Sequence, residues 1–153
     1  MAYRTILLKG DLNQIVDEAK AGEAGIYPGM LLKWYTNAGE VRKHAIAGGT
    51  AAPIFAKEND LAGDEVADAY TSGERCQILR CRVGDIIAAM IEQGENIQEG
   101  DYLESTGTGT LRKCDELSAG DTHYPRGVVA VALEAIDLST SALSDTLARV
   151  QIV

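Results

Sequence analysis

The sequence predicts a mainly β fold: a small β-barrel or two-sheet sandwich built from two pseudo-repeated β units, with at most short helices. Three observations support this prediction. Glycine supplies 16 of the 153 residues and aromatic residues only 5%, which is typical of short strands joined by tight turns. Apolar runs alternate with clusters of turn residues. The chain also repeats its own pattern after about 70 residues.

The repeat is the most informative of these observations. Ile26–Leu32 and Ile97–Leu103 share the pattern Ile-x-x-Gly-x-x-Leu, with an apolar or aromatic residue before the Leu. Val41–Lys43 and Leu111–Lys113 share an apolar residue followed by Arg-Lys. A Gly, an apolar run, a polar excursion and a closing strand follow in each copy. Two such units, each with one apolar face, need one another to close a core.

The first elements lie at the N-terminus. Tyr3–Leu8 is predicted to be a strand that precedes both repeats, belongs to neither and is free to pair elsewhere. Asp11–Gln14 resembles the start of a helix, because Asp can cap a helix and apolar residues follow at helical spacing as far as Ala19. We therefore predict either a short helix or a capping loop here.

The first repeat follows. Ile26–Tyr35 is predicted to be a strand region interrupted by a Pro-Gly turn at residues 28–29. Asn37–Gly39 then forms a hairpin turn into the strand Glu40–Ile46. Ala52–Ala56 is a further short strand.

The middle of the chain is less regular. Lys57–Gly73 is predicted to be a polar excursion with room for one helical turn at Asp64–Ala69. Glu74–Val83 is predicted to be a strand. Gly84–Met90 is apolar enough for either a strand or a helix, and periodicity does not distinguish the two.

These elements suggest a division of the chain. We expect residues 1–24 to form an N-terminal strand and connecting segment. Residues 25–153 would then form the β domain, with pseudo-repeats at approximately 25–83 and 96–153.

Composition excludes several classes of function. The net charge of −9, from 14 basic and 23 acidic residues, argues against direct binding of nucleic acid. No apolar run is long enough to cross a membrane, so no membrane partner is expected, and Thr5–Leu8 is too short for the core of a signal peptide. Cys76, Cys81 and Cys114 form no Cys-x-x-Cys pair, so we expect reduced thiols in a protein assembled in the cytoplasm.

No pattern of residues demands catalysis. The chain has no Gly-x-Ser-x-Gly around Ser105 or Ser118. Asp121 and His123 bring an acid near a histidine, but in a segment rich in loop formers, and we interpret both His123 and His44 as surface residues. We expect no catalytic residue.

Cofactor and metal sites are also not expected. Glu99–Asp101 and Asp115–Glu116 are interpreted as solvated loop carboxylates. Gly107–Thr110 lacks the Lys of a phosphate-binding loop and is explained by a hairpin tip. Glu58–Asp60 and Asp64–Glu65 lack the pattern of a calcium-binding loop.

Candidate contact residues are therefore apolar and aromatic. We select Tyr3, Ile6 and Leu8 on the N-terminal strand, together with Trp34 and Tyr35. Adjacent residues of a strand point to opposite faces, so we expect one of the two aromatic residues to face inward and the other outward.

Three segments resemble a known family. Gly94–Ser105, Gly109–Lys113 and Gly127–Glu134 are similar to the capsid decoration (cement) proteins of tailed bacteriophages. The resemblance extends over roughly Tyr3–Val153. Its motifs are turns and strands.

The resemblance implies a structural protein without enzymatic activity. Such proteins bind the outer surface of an icosahedral shell of major capsid protein, commonly as homotrimers, and stabilise it. Family members often use N-terminal segments to reach the capsid. Deleting Met1–Gly10 would then abolish capsid binding and leave the domain folded.

Two other functions stay open on the sequence alone. One is a soluble β-barrel binding module of a larger complex. The other is a small hydrolase that uses Asp121 and His123.

Overall fold

The computed structural model describes residues 3–10, 15–35, 39–114, 127–140 and 144–153. In these ranges the chain forms thirteen β-strands and no α-helix. The strands are β1 (Leu7–Lys9), β2 (Ile15–Ala21), β3 (Leu32–Tyr35), β4 (Glu40–Lys43), β5 (Ile54–Ala56), β6 (Arg75–Arg80), β7 (Ile86–Ile91), β8 (Asn96–Ile97), β9 (Tyr102–Ser105), β10 (Leu111–Lys113), β11 (Val128–Ala132), β12 (Ile136–Asp137) and β13 (Thr146–Ile152).

The second half of the chain closes into a five-stranded barrel, which we call the second barrel. Its strand order is β7-β10-β9-β11-β13, and β13 returns to β7. β7 and β13 pair antiparallel along six residues. β10 pairs parallel with β7 at one position, Leu111↔Ile91, and β8 pairs with β12 as a separate ribbon.

The first half forms a smaller ring, the first barrel, with the order β3-β4-β2-β6-β5. An antiparallel bridge between Leu31 and Phe55 returns from β5 to the residue before β3. Ala56 supports this closure from both sides: its carbonyl oxygen accepts the amide of Gly29 at 2.8 Å, and its own amide donates to the carbonyl of Met30 at 2.9 Å.

The two rings have the same topology. Each strand of the first barrel has a counterpart in the second: β2 corresponds to β7, β3 to β9, β4 to β10, β5 to β11 and β6 to β13. The parallel pair β2–β4 of the first barrel corresponds to the parallel pair β7–β10 of the second. A single bridge between Ile26 and Tyr70 replaces the β8–β12 ribbon. The prediction of a mainly β fold with two pseudo-repeated units is confirmed. Of the two predicted architectures, the structure shows barrels and not a sandwich.

The predicted short helix is wrong where the structure describes it. β2 pairs antiparallel with β6 along six residues, and its residues alternate with a period of two. Ala19 and Ala21 are buried, whereas Glu18 and Lys20 are exposed. Pairing with β6 therefore outweighs the helical spacing of the apolar residues; Asp11–Gln14 lie outside the described residues.

The polar excursion also lacks its predicted helical turn. In the segment 64–69 the amide of Glu65 donates to Asp68 Oδ2, and the amide of Asp68 donates to the carbonyl of Glu65. These bonds form a tight turn because the Asp side chain caps the backbone locally.

The ambiguity at Gly84–Met90 resolves as strand β7. Ile87–Ile91 are all buried, since both faces of β7 pack against other parts of the protein. A strand buried on both faces has no polar alternation, which is why its sequence did not distinguish strand from helix.

The division of the chain at residue 25 stays a prediction. β2 lies upstream of that position, and its pairing with β6 makes it part of the first barrel. β7 likewise lies between the two predicted repeats and belongs to the second barrel.

The apolar interior has two parts. A smaller cluster fills the first barrel and includes Val41, Tyr70 and Ile78. A larger cluster fills the second barrel and extends to Phe55 and Leu79 on the first. The outer face of the first barrel is thus part of the second barrel's core.

Gly29 joins the two barrels through its backbone. Its amide donates to Ala56 in the first barrel, and its carbonyl accepts the amide of Met90 in the second at 2.9 Å. Its φ is +87°, and a Cβ there would lie 2.4 Å from Leu147 Cδ2 and 2.9 Å from the carbonyl oxygen of Ala88. Glycine is therefore required both by conformation and by space.

Gly29→Ala is expected to lower the free energy of unfolding by about 3 kcal/mol or more, from positive φ and overpacking together. Gly94→Ala is the matched control, because Gly94 has a φ of +96° and no heavy atom within 4 Å of an added Cβ. The control should lose only about 1–2 kcal/mol. Urea unfolding followed by circular dichroism measures the free energy of unfolding of both variants. Equal losses would contradict the role of Gly29 in joining the two barrels.

Candidate interaction surface

The N-terminal segment is part of the fold. β1 pairs antiparallel with β7 through Leu7↔Ile87 and Lys9↔Ile86. The side chain of Ile6 is fully buried in the larger apolar cluster. The expectation that this strand is free to pair elsewhere is therefore wrong, because its side chains complete a core and its backbone covers an edge of β7.

Polar contacts hold the same segment to both barrels. Glu58, which is buried, accepts the Thr5 hydroxyl on one carboxylate oxygen and the Ile6 amide on the other, the latter at 3.0 Å. The carbonyl of Ile6 accepts the amide of Ala88 at 2.8 Å. The segment thus connects a loop of the first barrel to a strand of the second.

The other two candidates on this segment are half-buried. Tyr3 and Leu8 both pack against the larger apolar cluster. The Tyr3 hydroxyl donates to Glu134 Oε1 at 2.5 Å. Burial, with the Glu134 carboxylate beside it, raises the pKa of Tyr3 to about 12. A capsid-contact role for Tyr3, Ile6 and Leu8 stays a prediction, and Ile6 is inaccessible in this fold.

Ile6→Ala is expected to destabilise the protein by about 3 kcal/mol, since it removes a fully buried side chain. Leu8→Ala removes a half-buried side chain two residues away, and about 1 kcal/mol is expected. Denaturant titration of both variants tests this. An unfolding midpoint for Ile6→Ala equal to that of wild type would mean that the N-terminal strand does not contribute to the core and is free to pair elsewhere.

Trp34 and Tyr35 are both exposed, at 37% and 43%. Trp34 lies on the same face of β3 as the buried Leu32 and Tyr35 on the opposite face, so the two residues alternate as expected, but neither ring is buried in the core. Contact with a partner stays a prediction for both residues.

Arginines stack on both rings. Arg80 Cζ lies 5.3 Å from the centroid of the Trp34 ring, and Arg42 Cζ lies 3.9 Å from that of Tyr35. Arg80 also donates to Asp17 Oδ2 at 2.8 Å. Sequence reasoning missed these partners, because only the register of β2, β3, β4 and β6 brings them together.

His44 is buried between the barrels, so its interpretation as a surface residue is wrong. Its Nε2 lies 3.3 Å from the carbonyl oxygen of Thr50, and its Nδ1 lies 2.7 Å from Ser105 Oγ. A carbonyl only accepts, so Nε2 carries the proton and Nδ1 accepts the Ser105 hydroxyl. The backbone of His44 adds two bonds, to Leu31 and from Gly109.

This His–Ser contact has a structural role. A nucleophile and its base share such a hydrogen bond in hydrolases. Here, however, Ser105 is fully buried and the ring is oriented by a backbone carbonyl, so no substrate reaches the hydroxyl. Asp121 and His123, the residues of the hydrolase alternative, lie outside the described residues, as does Ser118.

The free energy of unfolding is expected to fall at acidic pH because His44 is buried. Burial lowers the pKa of this imidazole below its usual value of 6.5, so the unfolded chain binds the proton more tightly. This stability is fully present above about pH 6.5 and is lost as the pH falls toward the lowered pKa.

The test compares the wild type with His44→Gln, which cannot titrate. Urea unfolding at pH 7.5 and 5.5 should show a larger drop in the free energy of unfolding for wild type than for the variant. Identical drops would mean that folding leaves the pKa of His44 unchanged and would contradict this prediction.

The acidic and Gly-rich motifs occupy turns and strand ends. Asp101 pairs with Lys113 at 3.0 Å, and the segment 107–110 is the tip of the β9–β10 hairpin. In the part of the chain that the structure describes, no three His, Cys, Asp or Glu side chains are grouped so as to hold a metal ion. Asp115–Glu116 lie outside that part.

Two thiols lie in the core. Burial raises the pKa of both Cys76 and Cys81 to about 12, which keeps them protonated.

Among the described residues, no helix is long and apolar enough to span a membrane.

The fold has a counterpart among solved structures. The chain is similar to the crystal structure of the head fiber gp8.5 N base in bacteriophage phi29, with a TM-score of 0.57 over 92% of this chain and 94% of that one. Sequence identity is 16%, so the similarity shows a shared fold. No protein-family model and no curated protein matches the sequence.

Proposed function

We propose that this chain is a structural protein of a phage virion, and more specifically a decoration protein that binds the outer surface of the capsid and stabilises it. One observation carries the proposal. The whole tandem-barrel arrangement, rather than one barrel, matches the base of a phage head fiber over nearly the full length of both chains.

The sequence resemblance supports the same proposal from a separate direction. The segments that resemble decoration proteins, Gly94–Ser105, Gly109–Lys113 and Gly127–Glu134, form or flank β8 to β11 of the second barrel. A protein of this kind needs a rigid body and accessible contacts rather than a catalytic cleft. The described residues supply two joined barrels and the exposed aromatic pair Trp34 and Tyr35.

Charge is consistent with a place on a DNA-filled shell. A net charge of −9 disfavours binding to phosphates, so the protein would not be retained by the packaged DNA. The partners proposed are the major capsid protein and further copies of this chain in a homotrimer. A protein that binds an intact shell, and not its dissociated subunits, stabilises the shell by mass action.

The test mixes the purified chain with expanded capsids that lack it. We expect co-sedimentation that saturates at a fixed copy number and raises the temperature at which the shell ruptures. An unrelated acidic barrel protein of similar size is the control. Failure to bind, or binding that never saturates, would contradict the proposal.

A further inference from the structure

A row of outward-facing side chains crosses the first barrel. Phe55 on β5 forms a bridge with Leu31, the residue before β3, and pairs with Leu79 on β6. All three side chains are fully buried, but they belong to the larger apolar cluster and not to the one that fills the first barrel. The second barrel therefore covers this row from outside.

A corresponding row crosses the second barrel, and we call it the outer row. It consists of Tyr102 on β9, Val131 on β11, Gln151 on β13 and Ile86 on β7, each paired with the next. The residues that alternate with them, such as Leu103, belong to the larger apolar cluster. Adjacent residues of a strand point to opposite faces, so the outer row points away from the core.

The two rows occupy the same place in the two rings. They cross corresponding strands in the same order, and Tyr102 stands where Leu31 stands in the repeated sequence pattern. Leu31 is fully buried, whereas Tyr102 is 59% exposed and the rest of the outer row is half-buried. A barrel thus covers this face in the first ring, and the same face of the second ring has an exposed aromatic residue.

The outer row carries no charged side chain. Positions on β2 that face solvent are different, since Glu18 and Lys20 are exposed and form ion pairs with Arg75 and Glu40. The outer row has one aromatic, two aliphatic and one amide side chain instead. Aromatic residues are enriched and charged residues depleted at the centres of protein interfaces, so the composition of the outer row favours contact with a protein.

The charged residues beside Tyr102 are already paired. Asp101 lies 3.0 Å from Lys113, and Glu104 accepts a hydrogen bond from Arg112 at 2.8 Å. Paired charges cost less to desolvate than single ones. These ion pairs therefore form a polar rim that does not oppose burial of the outer row.

We propose that the outer row packs against a second copy of this chain and forms the contact between copies in the proposed homotrimer. The inference deepens the proposed function and rests on it for the trimer. A barrel of this same chain covers the corresponding row of the first barrel, which favours another copy over an unrelated protein. In a closed trimer every contact uses the same pair of faces, so the three outer rows supply one side of all three contacts.

Tyr102→Lys tests the proposal. A lysine suits an exposed strand position in the free chain, but it places a charge at the centre of the contact. Leu61→Lys is the matched control, because Leu61 is 81% exposed in the loop between β5 and β6 and the change in charge is the same. In sedimentation velocity, we expect Tyr102→Lys to self-associate at least about tenfold more weakly than wild type and Leu61→Lys to stay within about twofold.

Hydroxyl-radical footprinting of the wild-type protein supplies a readout that does not depend on the variant folding. Oxidation of Tyr102, measured by mass spectrometry, should be fast at concentrations where the protein is monomeric and slow where it is oligomeric. Oxidation of Leu61 should be the same at both concentrations.

Each other outcome has a distinct meaning. A wild-type protein that stays monomeric at every concentration, or equal association by Tyr102→Lys and wild type, would overturn the outer row as the contact between copies. Slow oxidation of Tyr102 in the monomer would overturn it too, because another part of the same chain would then cover the row.

The capsid-binding assay separates this proposal from the proposed function. Loss of capsid binding by Tyr102→Lys, with self-association unaffected, would assign the outer row to the shell protein and overturn the second copy as its occupant. Self-association that depends on Tyr102, without any binding of the wild type to capsids, would overturn the proposed function and leave the contact between copies intact.

Discussion

The junction between the barrels is the constraint on which the rest of the structure depends. Phe55 closes the first ring through its backbone bridge with Leu31, and its side chain is buried in the core of the second barrel. One residue therefore serves both barrels. Small units bury a smaller share of their surface than large ones, so an apolar cluster shared by the two barrels adds to the core of each.

Backbone contacts reinforce the same junction. Gly29 bonds to a strand of each ring, and His44 reaches the β9–β10 hairpin through its ring and its carbonyl. The N-terminal segment crosses between the barrels through Glu58 and Ala88. Such contacts fix the orientation of the barrels because hydrogen bonds are directional, whereas apolar burial alone would allow the barrels to slide.

The two rings have one topology but different surroundings. The second ring is extended by β1 and holds the larger apolar cluster, whereas among the described residues β4 pairs with β2 only at Lys20 and Ala21. The same topology therefore carries the larger apolar cluster in one ring and the exposed aromatic residues Trp34 and Tyr35 in the other.

The sequence by itself determined the β class, the repeat and the turn at residues 28–29, because these depend on local patterns of Gly, Pro and apolar residues. Tertiary structure decided that Ile15–Ala21 is a strand, that β1 is docked and that His44 is buried. Each of these features depends on contacts with residues far along the chain, and the local spacing of residue types does not predict such contacts.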